Sequence, residues 1–87
     1  MKQVKIYKLR DNGDQDVIAT YKLLGLDVVF EGDETFINNV NRNGIRDYAI
    51  KDSTAIKLFP KDGIRFLENL KFAFQSGYLV ASDIEES

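Results

Sequence analysis

A single amphipathic stripe restricts what this chain can become. With the residues of 60–75 set ~100° apart on a helical wheel, Phe66, Leu67, Leu70, Ala73 and Phe74 fall together on one side. Lys61, Arg65, Glu68, Lys71 and Gln75 occupy the remainder. A stripe of that width must bury against a second layer of structure. Pro60 suits the first helical turn, where its missing N–H is not needed. Asp62 can reach back to a free amide at the helix start. Gly63 falls near the centre of the stripe, one turn before Leu67. A glycine within a helix costs ~1 kcal/mol against alanine, so its presence predicts another backbone passing close by.

The first thirty residues supply the second layer. Gln3–Leu9 alternates, with Val4 and Ile6 on one side and Lys5 and Tyr7 on the other. The run "DNGDQD", Asp11–Asp16, carries the Asn-Gly pair that tight hairpins favour. Val17–Leu24 reads as a second strand, broken by Gly25, and Leu26, Val28 and Phe30 mark a third. Three strands with short links make an antiparallel meander.

Beyond Gly32 the period changes. Asp33 suits an N-cap, Phe36, Ile37 and Val40 share a helical face, and Gly44 suits the stop. Residues 45–59 read equally as a small hairpin around "KDST" or as a loop. Tyr78–Ile84 is a last strand, and 84–87 is a frayed tail. The expected fold is α+β, in β-β-β-α-α-β order. A three- or four-stranded antiparallel sheet carries both helices on one face, and the 87 residues form one domain.

That arrangement leaves two candidate surfaces. With Val4, Ile6, Val17, Tyr21, Val28 and Phe30 under the helices, the other sheet face shows Lys5, Tyr7, Leu9, Ile18, Lys22, Leu24 and Val29. That is more apolar than a solvated face needs to be, and sizeable apolar patches mark contact sites. Phe72 points away from the helical stripe, among Arg65, Glu68 and Asn69. It is either covered by residues 45–59 or exposed at a contact.

Chemistry is sparse. The chain has neither cysteine nor histidine, which removes thiolate nucleophiles, Cys/His zinc sites and the commonest proton shuttle. A reducing cytoplasm suits such a chain. "MKQVKIYKLR" alternates charge with apolar residues, unlike a signal peptide or a membrane span. The acids of "DNGDQD" fail the calcium-loop spacing, since the sixth and twelfth places from Asp11 hold Asp16 and Lys22. No glycine-rich phosphate loop is present. The serines have no histidine base. No catalytic, metal or cofactor residue is therefore assigned.

The net charge is −2, but residues 1–10 carry four cations while residues 11–34 carry seven acids against Lys22. Such a dipolar surface can steer a partner.

The run Val29-Phe30-Glu31-Gly32-Asp33, then Leu58-Phe59-Pro60-Lys61-Asp62-Gly63, Phe66-Leu67, Phe74 and the Leu79–Ala81 strand resembles a pattern in small uncharacterised bacterial and archaeal proteins. Such relatives often carry Thr where this chain has Phe59, and a shorter 45–57 segment. The resemblance implies an α+β domain and no activity. The expected function is a non-catalytic binding or assembly module, with a protein partner or a second copy of itself. The alternative is a nucleic-acid-associated protein using Lys5, Tyr7 and Lys22.

Overall fold

The computed structural model describes residues 1–45, 58–74 and 78–86. Strands β1 (Lys2–Leu9), β2 (Gln15–Leu24) and β3 (Asp27–Gly32) form the expected meander. They are followed by helix α1 (Glu34–Asn43), a 3₁₀ turn (Pro60–Asp62), helix α2 (Ile64–Ala73), and strands β4 (Leu79–Ala81) and β5 (Glu85–Glu86). The sheet is antiparallel in the order β3-β2-β1-β4, and β5 also pairs with β1.

The alternation of the early strands decides which side is covered. Val4, Ile6, Ala19, Tyr21, Val28 and Ala81 are buried together with Ile37 and Val40 of α1 and Phe66, Leu67, Leu70 and Ala73 of α2. Both helices therefore pack on one sheet face. Tyr21 and Phe66 meet edge-on, with ring centroids 5.0 Å apart. Full burial of a side chain of that size contributes about 1.5–3 kcal/mol. The Tyr21 hydroxyl is buried there with no hydrogen-bond partner among the described residues.

Three local expectations hold in detail. The Asp33 carboxylate accepts from the Phe36 N–H at 2.9 Å. The Asp62 carboxylate accepts from the Phe59 N–H at 2.7 Å. Gly63 is buried against another backbone, the Leu26 carbonyl at the β2–β3 turn.

Four expectations need correction. The helix does not run unbroken from Pro60, because Gly63 adopts φ 64 and ψ −129 and separates the 3₁₀ turn from α2. Val17 is not core. The register slips between Ile6 and Tyr7, so that Ile6 pairs with Ala19 but Tyr7 with Val17. Ile18 is the extra residue of this bulge, and beyond it inward and outward positions exchange. Val17 is 50% exposed, whereas Ile18 packs against the core.

The third concerns Phe30, which is 42% exposed although it lies at an inward position. It touches Tyr21 at 6.2 Å between centroids but sits on an edge strand, with a neighbouring strand on one side only among the described residues. The fourth concerns the tail. Glu85 and Glu86 pair with Gln3 and Lys2, and the Met1 amino group lies 3.8 Å from Glu86. Ile45 and Leu58 form an antiparallel bridge, and the possible hairpin between them lies outside the described residues.

Candidate functional site

The sheet face turned away from α1 and α2 can be read row by row from the strand register, since directly paired residues share a face. One row runs Val80–Tyr7–Val17 across β4, β1 and β2. The next runs Lys5–Thr20–Glu31, and the third Glu85–Gln3–Lys22–Val29. Leu24 and Asp27 close the face at the β2–β3 turn, and Leu9 and Gln15 close it at the other end.

The face is therefore divided. An apolar end holds Leu9, Tyr7, Val17 and Val80, and a smaller apolar spot holds Leu24 and Val29. Lysines and acids run between them. Lys5 and Lys22 are diagonal neighbours across β1 and β2, with Glu31 beside them on β3 and Glu85 on β5. The Gln3 side chain donates to Glu85 at 3.5 Å.

Of the residues expected on this surface, Lys5, Tyr7, Leu9, Lys22, Leu24 and Val29 do share it. Ile18 does not stand free, because the bulge sets it against the core. Val17 takes its place beside Tyr7. Phe72 is 50% exposed on α2 and does not join this surface, since α2 covers the opposite side of the sheet. Of the structural residues, Pro60, Phe66, Leu67 and Leu70 are buried, and the half-buried Phe74, just past the end of α2, meets Phe36 at a tilt with ring centroids 5.7 Å apart.

Sequence reasoning missed a shallow groove on the helix side of β3, lined by Phe30, Asn41, Phe59, Pro60 and Lys61. The Lys61 ammonium lies 5.4 Å from the Phe59 ring centre. An aromatic at an inward position of a terminal strand is the one signal in the sequence that bears on it.

No family model, curated protein or solved structure matches this chain. Any functional reading thus rests on the geometry. Among the described residues no three acidic side chains converge as a metal site, and no helix is long and apolar enough to cross a membrane. Two acids of the β1–β2 turn are engaged locally. Asp16 pairs with Arg10 at 2.5 Å, and Asp14 accepts from Asn12 at 3.1 Å. Burial pushes the Tyr21 phenol above its ordinary range, but the group faces the core and no groove.

Proposed function

We propose that this chain is a non-catalytic binding or assembly module that docks a second copy of itself through the sheet face turned away from α1 and α2. The supporting observation is the row Val80–Tyr7–Val17, an apolar strip on a sheet that α1 and α2 cover from the other side. Burying such a strip gives roughly 25 cal/mol per Å² of apolar surface. The charges beside it have both signs, with Lys5 and Lys22 central and Asp27, Glu31 and Glu85 marginal. A two-fold copy can set the lysines of one face against the acids of the other, a self-complementary pattern. The same acids work against nucleic acid, because they would repel a phosphate backbone approaching Lys5 and Lys22.

Light scattering coupled to size-exclusion chromatography tests the reading on wild type and on Tyr7→Glu with Val29→Glu. Wild type should dimerise at high concentration and the double variant should stay monomeric while keeping its circular dichroism. A wild type that remains monomeric at millimolar concentration removes self-association. A salt-sensitive gel shift with short RNA or DNA would replace it with the nucleic-acid reading.

A further inference from the structure

The two edges of the sheet are finished differently. On the β4 edge, the outward Ala81 N–H donates to the Phe74 carbonyl at 2.7 Å, which ties that edge to the end of α2. Among the described residues the β3 edge has no such closure. Asp33 N–H donates to the Ile18 carbonyl at 2.7 Å, and the β2–β3 register is regular from Gly32 back to Asp27. Antiparallel ladders alternate bonded and non-bonded pairs. Glu31, Val29 and Asp27 therefore turn their backbone groups toward β2. Val28 and Phe30 turn theirs outward, where the described residues supply no partner.

An edge with free N–H and C=O groups is a template for another strand. Its side chains say which kind. Asp27 and Glu31 are both exposed on the open face, two residues either side of Val29. A second copy of β3 laid antiparallel and centred on Val29 would set Asp27 against Glu31, and like charges directly opposite are unfavourable. On the helix side the added strand would meet Phe30 and the Phe59–Pro60 groove, which is apolar apart from Asn41 and Lys61.

We propose that the β3 edge accepts an extended peptide of another protein as an added antiparallel strand, with basic residues four apart and apolar residues between them. The main chain of Val28 and Phe30 supplies the hydrogen bonds. Asp27 and Glu31 each face a basic side chain, and Phe30 with Phe59 receives an apolar one. This is strand addition, in which the backbone gives affinity and alternate side chains give selectivity. Its main-chain bonds use the edge of the sheet rather than the dimer face, while its two charge contacts, Asp27 and Glu31, lie on the margin that the two surfaces share.

The test titrates the 15N-labelled chain with the acetylated, amidated peptide Thr-Lys-Val-Val-Val-Lys-Thr to millimolar concentration, followed by amide chemical shifts and hydrogen exchange. The Val28 and Phe30 amides should shift and become protected from exchange. The same peptide with N-methylated valines, unable to complete the ladder, should leave them unchanged. Asp27→Lys with Glu31→Lys should weaken the lysine peptide about tenfold and prefer the peptide with Glu in place of Lys. Absence of shifts along β3, shifts indifferent to N-methylation, or no exchange of preference in the charge-reversed variant would each overturn the proposal. So would protection of the same amides that grows with chain concentration alone, since that edge would then be pairing with itself.

Discussion

A β-carbon placed on Gly63 would lie 2.9 Å from the carbonyl oxygen of Leu26. This contact joins the tip of the β2–β3 hairpin to the break between the 3₁₀ turn and α2. It ties the sheet to the helix that covers it. The neighbour is backbone, so it cannot swing aside as a side chain would.

Gly63→Ala should therefore destabilise the chain on two counts. Its φ of 64 with ψ of −129 is a region that side-chain-bearing residues avoid, at a cost of about 1–3 kcal/mol. The clash with Leu26 adds to that. The expected loss is about 3 kcal/mol, which for a domain of this size lowers Tm by roughly 12–24 °C. Gly25→Ala is the control, because Gly25 also has positive φ, at 66, but nothing lies within 4 Å of its added carbon. A Tm for Gly63→Ala no lower than that for Gly25→Ala would show that the close approach carries no energy.

The contrast between Gly63 and Ile18 shows how far the sequence could be read. Gly63 announced itself because a helical stripe with a costly gap has few explanations. Asp33 and Asp62 were legible for a similar reason: caps act within three residues of themselves. The bulge at Ile18 was not legible, because the strand pattern on either side of it is a clean alternation. Only the pairing with β1 reveals that one residue is surplus. That surplus moved Val17 onto the open face and Ile18 off it. The apolar and charged rows of the candidate face likewise needed the register, since alternation assigns a side of the sheet but no cross-strand neighbour.

Tyr21→Phe should stabilise the fold. The Tyr21 hydroxyl is buried without a partner among the described residues, and an unsatisfied buried polar group costs about 1–3 kcal/mol. The ring contacts with Phe30 and Phe66 survive the change. A gain of about 1 kcal/mol in urea unfolding is expected, and a loss would mean that the hydroxyl makes a bond of its own.

The same phenol sets a pH dependence. Burial raises its pKa in the folded state above the ordinary value of 10.0. The unfolded chain thus loses this proton first as pH rises. Its contribution is complete below about pH 10 and declines above that value as the unfolded phenol ionises. Stability of wild type measured between about pH 9 and 11 should fall more steeply than that of Tyr21→Phe. Parallel curves would place the phenol in a solvated setting.

Gly32→Ala should be the most damaging of these changes. An added β-carbon would come within 2.2 Å of the Ile18 carbonyl oxygen and 2.6 Å of the Ala19 α-carbon. Its φ of 141 already excludes ordinary side chains. Relief requires β3 to part from β2 at its last pair, Ala19 with Gly32. That movement breaks the next bond, from Asp33 N–H to the Ile18 carbonyl at 2.7 Å. Asp33 is also the residue that caps α1, so the helix loses its fixed entry point together with the strand end. The summed cost of strain, clash and a displaced cap is about 4–6 kcal/mol, comparable with the whole stability of a small domain. Circular dichroism of Gly32→Ala should show a largely unfolded chain at 25 °C, with helix recovered on adding a stabilising osmolyte. A variant that folds with the wild-type urea midpoint would show that β3 does not end against the bulge at Ile18.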